Sequence, residues 1–413
     1  MNRIGLLSIL LVVSLELSAV VATSSAQGRG GAPPIKSPEI SADQRVTFRL
    51  RAPNAKEVAV SLGGKQLPMQ KDAEGLWSVT TDPMTPDIYG YTLVVDGASI
   101  SDPSNRQAET SFTGFRSMFM VPGGAAPWLP APGVPRGAIA RHAFHSAVAN
   151  DDRDFFVYTP PGYDAKRSQP YPVLYLLHGL GDDAERWMNG GAANHILDNF
   201  IGQKKAVPMV VVTPLGYGVA GGPAGAFSPD MFPGYAKILL EEIMPTVDKA
   251  YNVSKNREQR AIAGLSMGGA ETLYVGLNNL DKFAWLGAFS SAQVMWNSAM
   301  PNAANGAGRG AGAARGAGAG RGAGAPPPTM DEAVFAKMFP NLDAKANSRL
   351  RMLWITCGTA DSLIGVNRQF KGWLKSKGVA FTELETPDVG HVWPYWRQNL
   401  AEMVPQLFQS RGN

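Results

Sequence analysis

Residues 261–273 read AIAGLSMGGAETL, and the single serine in this stretch, Ser266, lies between Gly264 and Gly268. The residues before the serine favour a buried strand, and those after it favour a helix. A serine on such a sharp turn holds its hydroxyl exposed at the carboxyl edge of a sheet. Glycines on both sides remove the Cβ atoms that would collide where strand and helix pass close together. The stretch therefore predicts a nucleophile, provided that the surrounding chain forms a parallel sheet.

The chain around this stretch alternates between buried strands and amphipathic helices. The apolar runs are PVLYLLHG, PMVVVTPLG, RAIAGLS, FAWLGAFSS, LRMLWITCG and FTELETP. Helix-length segments such as NHILDNFIGQKKA and GVNRQFKGWLKSKG separate them, and RDFFVYTPPGY is typical of an early antiparallel strand. Strands buried on both faces and joined by helices predict a mostly parallel sheet covered on two sides. We therefore predict an α/β domain over residues 137–413.

The N-terminal part has a different texture. Short alternating runs separated by turn residues, such as QRVTFRLRAP and YGYTLVVDG, predict a small all-β sandwich over residues 38–122. Its aromatic residues Trp77, Tyr89 and Tyr91 fit either its core or a sugar-stacking platform, with the core favoured. Residues 123–136 are proline-rich and predict a stiff linker to the α/β domain.

The first residues predict export. Arg3 precedes a mostly apolar run, which ends in the small residues Ser24-Ser25-Ala26. This is the pattern of a signal peptide over residues 1–26, with an uncleaved membrane anchor as the alternative. Residues 27–37 then predict an exposed linker. The expected location is secreted or periplasmic, with no membrane association after cleavage.

A second biased segment interrupts the α/β domain. Residues 303–328 consist mainly of Gly, Ala, Arg and Pro, which cannot bury enough apolar surface to order the chain. We predict a disordered insertion that is dispensable for chemistry. Its arginines at 309, 315 and 321 leave contact with an acidic polymer open, although a solvated insertion without a role is favoured.

Composition argues against several other classes of protein. The 38 Lys and Arg exceed the 34 Asp and Glu by four, which is too small a surplus to predict nucleic-acid binding. The single cysteine, Cys357, allows no intrachain disulfide and fits a buried core position. The histidines have no metal-ligand spacing, and no glycine-rich phosphate loop joins a strand to a helix. We expect neither a metal nor another cofactor.

A serine nucleophile needs a histidine base and a carboxylate that orients the base. In this fold both should follow the serine, acid before histidine. Only His391 of the five histidines lies beyond Ser266, in the loop after the last predicted strand. Asp361 directly follows the strand before that one and is the favoured acid. The rival carboxylates are Asp388, Asp331 and Asp343.

Two backbone N–H groups are expected to stabilise the oxyanion. One belongs to Met267, directly after the nucleophile, and the other to Leu180, in the loop after PVLYLLHG. His178 in that loop is expected to brace it and not to act as a base. Three tryptophans near these segments could wall an aromatic acyl pocket or pin the closing helix to the sheet: Trp187, Trp393 and Trp396.

These residues carry a resemblance to the feruloyl and acetylxylan esterases of carbohydrate esterase family 1, whose relatives include enterochelin esterases. The resemblance rests on HAFHSAVANDDRDFFVYTPPGY, LYLLHGLGDDAERWMNGGAANHILDNFI, GLSMGG, CGTAD and GHVWPYWR, within residues 137–410. It implies an α/β-hydrolase fold with Ser266, Asp361 and His391 as the triad, and with Leu180 completing the oxyanion hole. The N-terminal block resembles the immunoglobulin-like module that precedes many such esterases, and the insertion departs from the family pattern.

The function expected from this resemblance is a secreted serine esterase that acts on acyl esters of plant cell-wall polysaccharide. Feruloyl esters are the first expectation and acetylated xylan the second. Hydrolysis of a siderophore trilactone is the main alternative. Acyl transfer to a sugar, as in mycolyltransferase relatives, and a non-catalytic carbohydrate-binding surface protein are more distant ones.

Overall fold

The computed structural model describes residues 34–112, 114–219, 221–299 and 330–409. The predicted signal peptide 1–26 and the predicted insertion 303–328 lie outside these residues. Of the predicted linker 27–37, only the last four residues are described. Its final residue, Ser37, is buried, and the Ser37 hydroxyl donates to Asp102 Oδ2 over 2.6 Å.

The N-terminal part of the described chain is built from short strands with alternating burial. These strands, in chain order, are β1 Glu39–Ile40, β2 Val46–Arg51, β3 Val58–Leu62, β4 Lys65–Pro68, β5 Gln70–Lys71, β6 Leu76–Thr80, β7 Asp87–Val95, β8 Ala98–Ile100, β9 Ala108–Ser111 and β10 Gly114–Val121.

These strands form two antiparallel sheets, ordered β1-β2-β6-β5 and β4-β3-β7-β10-β9, with β8 paired to β7. Side chains from both sheets share one hydrophobic core, which includes Phe48, Tyr91 and Phe119. Trp77 is also buried there, and Tyr89 stacks on Phe119 with ring centroids 5.4 Å apart. The three aromatic residues therefore belong to or cover the core and form no stacking platform. The all-β sandwich is present, while its immunoglobulin-like character stays a prediction.

The remaining strands form the main sheet. They are β11 Ala138–Ser146, β12 Asp151–Thr159, β13 Val173–Leu177, β14 Val210–Pro214, β15 Arg260–Leu265, β16 Trp285–Phe289, β17 Met352–Gly358 and β18 Thr382–Thr386. Their order across the sheet is β11-β12-β14-β13-β15-β16-β17-β18. The pairs from β14 to β18 are parallel, whereas β11 and β12 are antiparallel to their neighbours. The mostly parallel sheet predicted from the sequence is confirmed.

Helices cover both faces of this sheet. The α-helices of the described residues are α1 Ala193–Gly202, α2 Met231–Lys237, α3 Met244–Ala250, α4 Met267–Asn278, α5 Glu332–Met338, α6 Ala346–Arg349, α7 Ile364–Ser376 and α8 Trp393–Met403. Two separate apolar cores form, one on each face, and β13, β14, β15 and β16 are buried along their whole length. Because parallel strands end at the same edge, the loops after β13, β15, β17 and β18 meet there.

The two-sheet part and the main sheet are joined by partly buried polar contacts to Asp87. The guanidinium of Arg397 in α8 donates to Asp87 Oδ1 over 2.8 Å and to the Gly190 carbonyl over 2.8 Å. Trp128, within the predicted linker 123–136, donates its indole N–H to the same Asp87 oxygen. This linker is therefore packed against the protein, and the described residues from Ile35 onward belong to one compact unit. No helix within the described ranges is long and apolar enough to cross a membrane.

Candidate active site

Ser266 occupies the turn between β15 and α4. Its backbone has φ 54° and ψ −114°, a conformation that non-glycine residues rarely adopt. The turn is held by neighbouring strands, because Ser266 N–H donates to the Phe289 carbonyl and Ala292 N–H donates to the Ser266 carbonyl. The strained turn places Ser266 at the carboxyl edge of the sheet, where it lines a pocket, as the strand-turn-helix pattern predicts.

The two flanking glycines make this turn possible. A Cβ atom on Gly264 would lie 2.4 Å from the Gly268 carbonyl oxygen, and one on Gly268 would lie 2.5 Å from the His178 carbonyl oxygen. Both obstacles are backbone atoms, so neither can move aside cheaply. Gly268 N–H also donates to the His178 carbonyl over 3.0 Å, which ties the nucleophile turn to the loop after β13. The close approach predicted for these glycines is present.

Gly264→Ala is expected to lower the free energy of unfolding by about 2–3 kcal/mol or more, because the new methyl group overpacks against fixed backbone. Urea unfolding followed by tryptophan fluorescence measures the change. Gly372→Ala is the matched control, since a Cβ there meets nothing within 4 Å inside α7. We expect that control to stabilise the protein by about 0.5–1 kcal/mol. Equal effects of the two substitutions would contradict the close-approach argument.

Ser266, His391 and Asp361 form one hydrogen-bonded chain. His391 Nε2 lies 3.1 Å from Ser266 Oγ, and His391 Nδ1 lies 2.8 Å from Asp361 Oδ2. The Asp361 side chain is fully buried, and its Oδ1 accepts the Leu363 N–H over 2.9 Å. Because a carboxylate only accepts, Nδ1 carries the imidazole proton, and Nε2 keeps a lone pair for the serine proton. Geometry and tautomer are those that base-assisted attack by the serine requires.

The rival carboxylates lie elsewhere. Asp388 is exposed with φ 58°, and its N–H donates to Thr359 Oγ1. Asp331 caps α5 by accepting the Ala333 N–H, and Asp343 accepts the Lys345 N–H. Asp361 is the carboxylate that the structure places against His391.

The two residues predicted to supply the oxyanion donors lie next to the serine in sequence or in its pocket. Met267 is the first residue of α4, where helix N–H groups lack partners inside the helix, and Leu180 lines the same pocket as Ser266. His178 accepts the Gly216 N–H at Nε2 over 2.9 Å, so its Nδ1–H donates to the Gly179 carbonyl over 2.8 Å. Burial lowers the pKa of His178 to about 4. The residue is therefore neutral near pH 7, which fits the bracing role predicted for it.

A pocket of about 370 Å³ opens beside Ser266 and His391. Trp393 and Trp396 line it, and Trp396 meets the His391 ring edge-on with centroids 4.7 Å apart. Trp187 lies behind this wall: it is fully buried, donates to the Leu177 carbonyl and packs edge-on against Trp393. Of the three predicted substrate contacts, two line the pocket and Trp187 supports them from the core.

The pocket also holds charged residues that were not predicted from the sequence. Arg186 stacks over the Trp393 ring at 4.7 Å and pairs with Asp182 over 3.3 Å and with Glu109. Arg116, from β10 of the N-terminal part, lines the same pocket and pairs with Glu109 over 3.4 Å. Burial raises the pKa of Asp182 to about 7, although the Arg186 charge opposes the shift. Asp182 lies two residues after Leu180, and this proximity could have marked it as a residue of the site. Nothing in the strand pattern of β10 marked Arg116 in this way.

Two other histidines, His142 and His145, have hydrogen-bond partners outside the Ser266 pocket. His142 pairs with the Tyr251 hydroxyl over 2.6 Å, and His145 pairs with Asp152 on the surface. Among the residues that the structure describes, no group of three or more His, Cys, Asp or Glu side chains is arranged to hold a metal ion. Cys357 is a buried strand residue, and burial raises the pKa of its thiol well above the ordinary value.

Residues 146–407 match the family model described as "Putative esterase". The matched range contains Ser266, Asp361 and His391 and spans more than half of the chain.

A curated relative extends over both parts of the chain. The endo-1,4-beta-xylanase/feruloyl esterase of Xylanibacter ruminicola is 28% identical over 385 residues, which cover 90% of this chain and 46% of the relative. The chain therefore spans less than half the length of this curated relative.

The fold is shared with solved esterase structures. A carbohydrate esterase family 1 ferulic acid esterase from Anaeromyces mucronatus matches with a TM-score of 0.52 at 22% identity, covering 69% of this chain and 96% of that one. The enterobactin esterase of Shigella flexneri matches with a TM-score of 0.57 at 18% identity, covering 88% of this chain and 93% of that one. At these identities the likeness shows the α/β-hydrolase fold of esterases, as predicted, and nothing finer.

Proposed function

Because the chain belongs to the esterase family whose model it matches and is a carboxylic ester hydrolase, we propose that it hydrolyses acyl esters of plant cell-wall polysaccharide through Ser266. Feruloyl esters are the preferred substrate in this proposal. The observation that carries the proposal is the hydrogen-bonded chain from Ser266 through His391 to the buried Asp361. The xylanase/feruloyl esterase relative supports the substrate class, and acetylated xylan is the second choice. Export through the N-terminal segment is part of the same proposal.

The proposed reaction has two halves. His391 Nε2 takes the proton of Ser266 Oγ as the oxygen attacks the ester carbonyl, and the Met267 and Leu180 N–H groups receive the oxyanion. The C–O bond to the sugar breaks, and the sugar oxygen leaves with the proton from His391. Water then attacks the acyl-enzyme with His391 as base, which releases the free acid and restores the serine.

Asp361 has a positioning and electrostatic role in this proposal. Its hydrogen bond to Nδ1–H holds the imidazole in the tautomer that leaves Nε2 unprotonated. The same carboxylate stabilises the imidazolium that forms when Nε2 gains the serine proton. Trp396, packed edge-on against His391, restricts the ring to this orientation.

A siderophore trilactone is the second candidate substrate. The enterobactin esterase structure covers 88% of this chain, and thus part of the N-terminal sheets, whereas the ferulic acid esterase structure covers 69%. The larger coverage favours a two-part architecture shared with the enterobactin esterase, which is why the trilactone is the second candidate. The pocket wall of Trp393 and Trp396 suits an aromatic acyl group, which both a ferulate and a catecholate possess.

A substrate panel separates the candidates. Purified protein is assayed with methyl ferulate, acetylated xylan and a catechol trilactone, and kcat/KM is compared. We expect methyl ferulate to be hydrolysed best, with free ferulic acid as the product. Preference for the trilactone would replace the feruloyl assignment. An acyl product retained on an added sugar, with little free acid, would assign acyl transfer instead of hydrolysis.

A further inference from the structure

Strands β9 and β10 of the N-terminal part are fastened to the loop that carries Leu180. Phe112 N–H donates to the Gly181 carbonyl over 2.9 Å, and Thr110 Oγ1 donates to Asp183 Oδ2 over 2.6 Å. The Phe112 ring also meets the Tyr217 ring edge-on at 5.3 Å. These contacts lock one edge of the N-terminal sheet to the predicted oxyanion loop, so Arg116 of β10 has a fixed position in the wall of the pocket that Ser266 lines.

Arg116 of β10 is held in place by this arrangement. Its Nη2 donates to the Gly90 carbonyl over 3.0 Å, and its Nη1 pairs with Glu109 Oε1 over 3.4 Å. The other Glu109 oxygen pairs with the buried Arg186. A guanidinium has five N–H donors, so two contacts orient it and leave donors for a ligand. Arg116 is therefore pre-organised for a further partner.

Exposure places Arg116 at the mouth of the pocket. Its side chain is 54% exposed, against 7% for Arg186 and 18% for Asp182, which lie deeper. A pocket of about 370 Å³ has room for an acyl group and not for a polymer. The sugar that carries a polymeric ester must therefore lie at the mouth, within the reach of Arg116.

Charge at the mouth favours oxygen acceptors. Arg116 and Arg186 bring two positive charges, which face the single negative charge of Glu109 and the carboxyl group of Asp182. Because burial raises the pKa of Asp182 to about 7, that group is partly neutral near pH 7. The exposed guanidinium of Arg116 is the cation at the mouth, and its charged N–H groups attract hydroxyl and carboxylate oxygens of a ligand.

We propose that Arg116 binds the oxygen acceptors, hydroxyl or carboxylate, of the sugar that carries the ester, and that the N-terminal sheet thereby completes the substrate site. Arg116 is then a specificity-determining residue of the esterase. This inference rests on the proposed action on polysaccharide esters.

Arg116→Gln tests it on two pairs of esters that share an acyl group. The first pair is methyl ferulate and a feruloylated xylo-oligosaccharide, and the second is 4-nitrophenyl acetate and an acetylated xylo-oligosaccharide. Hydrogen bonds to charged groups contribute enough for about a 10-fold effect or more. We expect kcat/KM of the variant to fall about 10-fold more on the sugar member of each pair, mainly through KM. Equal losses on both members, or no loss on the sugar esters, would overturn the proposal.

The sugar esters are made with and without a uronic acid on the oligosaccharide. A loss concentrated on the uronic acid esters assigns the carboxylate as the partner of Arg116, and equal losses assign the hydroxyls. Arg51→Gln, on the exposed end of β2, is the matched control and should leave both pairs at wild-type rates. The wild-type enzyme tests the feruloyl assignment separately. That assignment fails if the wild type hydrolyses the acetyl pair but not the feruloyl pair. The acetyl pair then still tests Arg116.

Discussion

Ser266→Ala is expected to lower kcat on any ester by about a million-fold while the protein stays folded. The substitution removes the only atom that can form the acyl-enzyme in the proposed mechanism. What remains is binding and oxyanion stabilisation, which give about 10³–10⁴-fold acceleration over water. Turnover of 4-nitrophenyl acetate by purified wild-type and variant proteins measures the loss, and thermal unfolding checks the fold.

A matched control lies next to the site. Ser291 is also a buried serine at the sheet edge, close to Gly269 of the nucleophile turn. Ser291→Ala should leave kcat within a few-fold of wild type, because it removes a hydroxyl that the mechanism does not use. A serine-directed fluorophosphonate should label the wild type and Ser291→Ala but not Ser266→Ala. Labelling of a folded Ser266→Ala variant would assign the nucleophile elsewhere, and an unlabelled wild type would favour the non-catalytic binding protein.

The sequence was most informative where a residue must meet a strict local requirement. A Gly-x-Ser-x-Gly turn between strand and helix needs two missing Cβ atoms, and the contacts at Gly264 and Gly268 show why. The buried parallel strands were visible for the same reason, since burial on both faces leaves continuous apolar runs. Asp361 and His391 followed from the chain order of such sites, because loops after successive parallel strands meet at one edge.

The sequence was least informative where partners come from distant parts of the chain. Strand β11 was not predicted, because it pairs only with β12 at the sheet edge and is mostly exposed, so it has no apolar run. The helical segment formed by α2 and α3 also contains an unpredicted π-helical turn, Ile238–Ile243, directly before the part of α3 that contains Pro245. Proline lacks a backbone donor, which breaks regular helix bonding there.

The charged cluster at the pocket was missed for a related reason. Glu109 and Arg116 look like ordinary alternating strand residues, and only the docking of β9 and β10 on the oxyanion loop brings them to Arg186. Pairing across 77 positions leaves no local pattern to read. Trp187 shows the opposite error. Its position near the oxyanion loop suggested a pocket wall, but its side chain is fully buried behind that wall.

Asp361→Asn is expected to lower kcat by about 10⁴-fold with little change in the fold. The geometry fixes how the amide would sit. Because Oδ1 accepts the Leu363 N–H, the amide oxygen of the asparagine would take that place and its NH₂ would face His391 Nδ1. An NH₂ group only donates, so Nδ1 would have to accept and the imidazole proton would move to Nε2. Nε2 could then no longer take the proton of Ser266.

Asp388→Asn is the matched control for this prediction. Asp388 is the nearest rival in sequence, three residues before His391, and it is exposed with its N–H bonded to Thr359. We expect that variant to keep kcat within about 2-fold of wild type, since exposed substitutions away from the site have small effects. Steady-state rates on 4-nitrophenyl acetate and thermal unfolding of both variants complete the test. Replacing the carboxylate that orients His391 traps the imidazole in the wrong tautomer. A large loss of kcat in Asp388→Asn, together with near-normal kcat in Asp361→Asn, would therefore assign the orienting carboxylate to Asp388.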